Sequence, residues 1–135
     1  MCQQILLVDD EPTLLRALDR SLNDEFHIKT AESGMAALQQ LQDYGPFAVM
    51  VTDMKMPQMN GIELVQTVKE QWPDTICIML TGNQDEGTAK RVAESSNIFR
   101  LLNKPVPRSE LIEAINAAIS GYRHSTSLHP SSVGA

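Results

Sequence analysis

Cysteine is scarce in this chain. Its only two, Cys2 and Cys77, lie far apart and without metal-ligand spacing, one terminal and one inside an apolar run. That excludes a disulfide framework or a thiolate metal centre and points to reduced, unpaired thiols in a cytoplasmic setting. Long apolar runs are absent too: none approaches the roughly 18 residues of a membrane span, so no membrane association is expected. Met1-Cys2-Gln3-Gln4 carries no basic region, and the apolar run after it ends at Asp9-Asp10, which is unlike a signal peptide. With no basic run and a net charge of −6, direct nucleic-acid binding is disfavoured, and any control of DNA or RNA would pass through a partner or a further domain. No phosphate-cradling Gly/Ser/Thr loop follows the first apolar run, which argues against a flavin-binding flavodoxin.

What is present fits one domain. The chain has 135 residues, 42% of them hydrophobic, enough for a core without staples. Short apolar runs alternate with helical patterns. Ile5–Val8 reads as a central strand, and Pro12 opens a helix with Leu14, Leu15, Leu18 and Leu22 at helical spacing. Phe26–Thr30 alternates as an outer strand, and a second helix begins at Ser33 or Glu32 and closes at Gly45-Pro46. Phe47–Val51 is a third strand, and a third helix runs from Gly61 to Trp72. Thr75–Leu80 and Ile98–Leu102 are the remaining strands. Between them Gln84–Ser95 gives the weakest helix, with Gly87 inside, and Leu111, Ile115, Ala118 and Ile119 mark the last one. Five strand–helix alternations predict a doubly wound α/β domain with a parallel sheet and right-handed crossovers, best ordered as the flavodoxin-like 2-1-3-4-5. From Gly121 the composition turns to Ser, His, Pro and Gly. The expected division is therefore a domain over 1–122 and a flexible tail or linker over 123–135.

The organising stretch is Val49-Met50-Val51-Thr52-Asp53, an apolar run that stops at one aspartate before a loop with Pro57 and Gly61. Ligands collect at the carboxyl edge of such sheets. By itself Asp53 could equally cap a turn. The other strands bring Asp9 and Asp10, Thr81 and Lys104 to the same edge. Three carboxylates, a hydroxyl and an ammonium from separate elements suit phosphoryl transfer to a carboxylate. Clustered carboxylates repel one another, and a hard cation such as Mg²⁺ relieves this while needing only one or two of them. Asp53, apical on its strand, is the best nucleophile for an acyl phosphate. The metal, Lys104 and Thr81 would share the oxygens of the transferring group.

These residues carry a resemblance. Leu6-Leu7-Val8-Asp9-Asp10-Glu11-Pro12, the run Asp53-x-x-Met56-Pro57-x-Met59-x-Gly61, Leu80-Thr81-Gly82 and Lys104-Pro105 resemble the receiver domains of two-component response regulators, chemotaxis regulators included, over about residues 3–122. The resemblance implies that Asp53 accepts phosphate from a histidine kinase, a phosphotransfer protein or a small phosphodonor. On that likeness the domain would catalyse its own phosphorylation and dephosphorylation and switch the surface of the fourth helix, fifth strand and last helix. It implies Mg²⁺ ligation by Asp10, Asp53 and the backbone carbonyl of Lys55, with Asp9 close by, and a cis peptide before Pro105. A fused or separate output domain is the implied partner. Phe99–Pro105 is similar to receivers joined to cyclic-dinucleotide enzymes.

Two positions depart from the family pattern. Leu101 stands where a switch aromatic is usual, three residues before the lysine, and Phe99 is read as core rather than as its substitute. Lys55 and Asn83 follow the nucleophile and the threonine by two residues and border the path of hydrolytic water. Lys55 also bears on the enzyme alternative, an aspartate-nucleophile phosphohydrolase, which wants a second acid there. A third reading, a pseudo-receiver that binds partners without phosphate, fits poorly with a complete acidic set. Trp72 is expected to pack, His27 to be exposed, and His124 and His129 to lie in a solvated tail.

Overall fold

The computed structural model describes residues 4–82 and 97–128. Strands β1 (Gln4–Val8), β2 (His27–Ala31), β3 (Val49–Asp53), β4 (Ile76–Thr81) and β5 (Arg100–Asn103) form one parallel sheet ordered β2-β1-β3-β4-β5. Helices α1 (Pro12–Leu22), α2 (Gly34–Tyr44), α3 (Gly61–Gln71) and α4 (Arg108–Leu128) pack on its faces. This is the flavodoxin-like arrangement expected from the alternation. The helix expected over Gln84–Ser95 lies outside the described residues.

Period-two alternation sorts the strand residues between two layers. Ile5, Leu7, Val49, Val51, Ile78 and Leu80 face Leu15 and Leu22 of α1 and Leu111, Ala114, Ile115 and Ala118 of α4. Leu6, Val8, Met50, Cys77 and Met79 face Ala37 and Leu41 of α2 and Leu64, Val65 and Val68 of α3. Both faces of β1 and β3 are covered, which is why these strands read as unbroken apolar runs rather than alternating ones. The helices start where their sequences supply caps. Ser33 Oγ accepts the Ala36 amide at 3.0 Å, and Asn60 and Glu63 form a reciprocal capping box at 2.9 and 3.0 Å. Such a cap contributes about 1 kcal/mol.

Register fixes what reaches the carboxyl edge. Val8 lies opposite Thr52, Asp53 opposite Leu80, and Thr81 opposite Asn103. β3 and β4 each run further than their apolar stretches, because Thr52, Asp53 and Thr81 still have ladder partners although their side chains are polar.

One expectation fails. Phe99 is not core: it precedes β5 and is 43% exposed, with the Arg100 guanidinium 5.5 Å from its ring centre. Ile98 and Leu102 fill the apolar sites instead. Helix α4 continues to Leu128, past the composition change at Gly121. Tyr122, one residue beyond, packs against the α1/α4 layer and anchors the helix there. Leu101 is half-buried against the α2/α3 layer, Trp72 packs in the same layer, and His27 is exposed, as expected. No described helix is long and apolar enough to cross a membrane.

Candidate active site

Each element delivers one group. β1 ends at Val8, and the Asp9 amide still donates to the Ala31 carbonyl of β2 at 3.1 Å, which holds Asp9 in line with the sheet. Its Oδ1 accepts the Glu11 amide at 3.0 Å, so Asp9 also closes the turn that leads into α1. The chain then turns Asp10 out to solvent while Asp9 stays buried. Asp53 is the last residue of β3 and is 8% exposed.

The loop after Asp53 is held tightly. The Met54 amide donates to the Leu80 carbonyl at 3.0 Å, and the Gly61 amide to the Met54 carbonyl at 2.8 Å. A Cβ at position 61 would overlap the Asp53 carbonyl oxygen, so glycine is what lets α3 start against the Asp53 peptide. Gln58 adopts φ 71°, a left-handed conformation at the loop tip. The sequence analysis does not anticipate the close approach at Gly61, although a glycine at a helix start shortly after a strand-end aspartate is the signal for it.

Lys104 ties the edge together. Its amide donates to the Thr81 carbonyl at 2.8 Å, and its Nζ lies 3.0 Å from Asp53 Oδ1 and 3.4 Å from Asp9 Oδ2. The peptide bond between Lys104 and Pro105 is cis, as the resemblance implied. Burial raises the Asp9 carboxyl above its ordinary 3.8, and the Asp53 charge adds to this; the Glu11 amide and Lys104 oppose it. For Lys104, burial pulls the ammonium down, but the hydrogen bond and charge of Asp53, with those of Asp9, outweigh it and leave the group above its ordinary 10.5. The lysine is therefore a fixed cation at neutral pH.

Asp9, Asp10 and Asp53 each place one carboxylate oxygen within 4.8 Å of the others. Oxygen-only donors of this charge suit a hard divalent cation, and nothing in the set favours a softer metal. Exposed Asp10 leaves the cluster open to the waters that Mg²⁺ retains. Lys55 is exposed beside it and lines a cleft of about 440 Å³ with Met56, Pro57 and Asn60. Thr81 is buried, and its hydroxyl donates to the Gly82 carbonyl at 3.2 Å rather than to a carboxylate. Asp9, Asp10, Asp53 and Lys104 are thus brought together, and Thr81 sits at the same edge with its hydroxyl turned along its own chain. Asn83 lies outside the described residues.

A five-stranded parallel α/β domain with an acidic cluster and a lysine at its carboxyl edge belongs to the class of small signalling receivers. Residues 5–116 match the response regulator receiver domain, and the chain belongs to that family. It is 32% identical over 122 residues to the chemotaxis protein CheY of Halobacterium salinarum, covering 89% of this chain and 99% of that one. It is 30% identical over 115 residues to the hydrogenase transcriptional regulatory protein HoxA of Cupriavidus necator, covering 85% of this chain and 24% of that protein. The chain spans about a quarter of the length of HoxA and of several other transcriptional regulators it matches. Among solved structures, one described as adenylate cyclase from Rhodopirellula baltica superposes with a TM-score of 0.95 at 40% identity, covering all of both chains. A response regulator receiver domain protein from Clostridium thermocellum gives 0.84 at 33%, over 90% of this chain and 98% of the other.

Proposed function

We propose that this receiver is a phosphoacceptor switch of a two-component phosphorelay in the cytoplasm, and that Asp53 is its single acceptor. The observation that carries the reading is the Lys104 ammonium between Asp53 and Asp9 inside a three-carboxylate cluster. An Asp53 oxygen attacks the phosphorus of a phosphohistidine on a histidine kinase or phosphotransfer protein, or of a small phosphodonor. The bond from phosphorus to its leaving group breaks, an acyl phosphate forms on Asp53, and the imidazole leaves with its electron pair. No general base is required, because the attacking carboxylate is already ionised. Lys104 stays with the phosphoryl oxygens as their fixed cation. Asp10, Asp53 and the Lys55 carbonyl would hold Mg²⁺, with Asp9 beside them; when bound, the ion supplies further neutralisation of charge on the transferring group.

Thr81 gives the output its trigger. To donate to a phosphoryl oxygen its hydroxyl must leave the Gly82 carbonyl, and a charge-assisted bond replaces a neutral one. That exchange moves the connection after β4 and, through it, the surface that includes β5 and α4. A fused or separate output domain reads that surface, with residues 1–122 as the receiver and 123–135 as its connection. The similarity to a hydrogenase transcriptional regulatory protein and to a protein described as an adenylate cyclase supports transcriptional regulation and cyclic-nucleotide synthesis as kinds of output. The phosphohydrolase alternative lacks its second acid, since Lys55 stands there.

Incubation with acetyl phosphate and Mg²⁺ tests the assignment. Intact-mass spectra should gain one phosphoryl group in the wild type and none in Asp53→Ala. An adduct that persists in the variant would remove Asp53 from the role.

A further inference from the structure

Three of the chain's seven methionines, Met54, Met56 and Met59, lie between the proposed phosphoacceptor and the start of α3. Their surroundings differ. Met54 and Met56 are buried, 4% and 8% exposed, and out of reach of a dissolved oxidant. Met35, on α2, is 61% exposed, so its oxidation would disturb little packing. Met59 differs from all three. It is partly exposed and lies on Gly34, at the first turn of α2, so closely that a Cβ there would come within 2.7 Å of its Sδ and 2.9 Å of its Cβ and Cγ. The backbone around it is also constrained. The Met59 amide donates to the Pro57 carbonyl at 2.8 Å across Gln58, the one described non-glycine residue with positive φ.

We infer that Met59 is an oxidation site through which peroxide weakens phosphorylation of Asp53. This inference rests on the phosphoacceptor reading above. The Sδ lone pair attacks one peroxide oxygen, the O–O bond breaks, and water leaves after proton transfer. Sulfur is oxidised to the sulfoxide and the peroxide is reduced. The product is polar and carries an extra oxygen on a tetrahedral sulfur. Against Gly34 there is no space for that oxygen on the packed side, and turning it to solvent requires the thioether to leave the glycine. The loop from Met54 to Asn60 then loses its contact with α2, while its other anchors, at Leu80 and Gly61, sit close to Asp53. Because the transfer rate scales with the fraction of loops in the competent arrangement, loss of the anchor slows it.

The experiment treats the full chain with hydrogen peroxide, maps oxidised methionines by peptide mass spectrometry, and follows acetyl phosphate labelling and hydrogen exchange over residues 54–61. The expected result is a sulfoxide at Met59, faster exchange in that segment and labelling slowed by a factor on the order of ten. Met59→Leu keeps an apolar side chain of similar volume without sulfur, and should label normally before and after peroxide. Methionine sulfoxide reductase should restore the wild type, and Met35→Leu should remain peroxide-sensitive. A Met59→Leu chain that loses labelling to the same extent, or a Met59 sulfoxide with unchanged exchange and rate, would overturn the inference. Failure of the untreated wild type to label would instead count against the phosphoacceptor reading, with the exchange measurement still deciding on the loop.

Discussion

Replacing Asp53 by asparagine should make the metal-free protein more stable. Asp53 attracts Lys104 at 3.0 Å and repels Asp9 and Asp10, whose nearest oxygens are no more than 4.8 Å away. At an effective dielectric constant of about 20, such an attraction amounts to about 5.5 kcal/mol and each such repulsion to at least about 3.5 kcal/mol. Asp10 is exposed, so its share is cut by solvent screening. The attraction and the two repulsions then nearly cancel, and the cost of burying the Asp53 carboxylate tips the balance against the charge. Asparagine removes the charge and still offers Lys104 a carbonyl oxygen. The expected outcome in chelator is a gain of about 1 kcal/mol, or about 4 °C in melting temperature for a domain of this size. Mg²⁺ should stabilise the wild type and do so less in the variant, since one ligand charge is gone. Urea melts with chelator and with Mg²⁺ measure both quantities. A variant less stable than wild type in chelator would mean that the Lys104 contact dominates the cluster and would refute the reasoning.

Gly61→Ala should destabilise the domain by about 1–3 kcal/mol, the usual penalty for forcing volume into a packed site, and slow acetyl phosphate labelling because the Asp53 peptide must shift. Urea melts paired with labelling check this, and unchanged values for both would show that α3 can start elsewhere. Burial pushes the Cys77 thiol from 9.0 up to about 11, with Lys69 opposing. The folded chain therefore holds this proton more tightly than the unfolded one, and its contribution to stability is lost as pH rises from about 9 to about 11. Cys77→Ala should flatten stability over that interval, and in Cys2→Ser a disulfide reagent at pH 8 should label Cys77 only as fast as the domain unfolds.

The sheet was legible because its signals are local and strong. Apolar runs ending in Asp, Thr or Asn-Lys placed four of the five strand ends, and the 2-1-3-4-5 order followed from alternation with right-handed crossovers. Strand ends were read short where polar side chains continue the ladder, as at Thr52 and Thr81, since hydrophobicity says nothing about backbone pairing. Phe99 misled because an aromatic beside a strand is ordinarily core, and only the β4–β5 register decides that Ile98 and Leu102 are buried there instead. The composition changes at Gly121, yet helix α4 runs through it. A glycine costs roughly 1 kcal/mol in a helix, which Tyr122 packing on the core offsets. At the site, residue identities were readable but orientations were not. The Lys104 bridge follows the resemblance, whereas the Thr81 hydroxyl turning to Gly82 depends on a side-chain rotamer that no pattern encodes.

Lys104 hangs from the end of β5, the shortest of the described strands, which among the described residues pairs only with β4. Its backbone is fastened to Thr81, and its side chain spans the ends of β1 and β3. Fraying at a sheet's margin is ordinarily a nuisance confined to the outermost strand. Here it would carry the site's cation away from its two carboxylates, so the chemistry of the central strand is only as steady as the periphery that supplies its counter-charge. A binding event that grips or loosens β5 thereby adjusts the electrostatics of Asp53 from the far side of the sheet, with no contact at the aspartate itself.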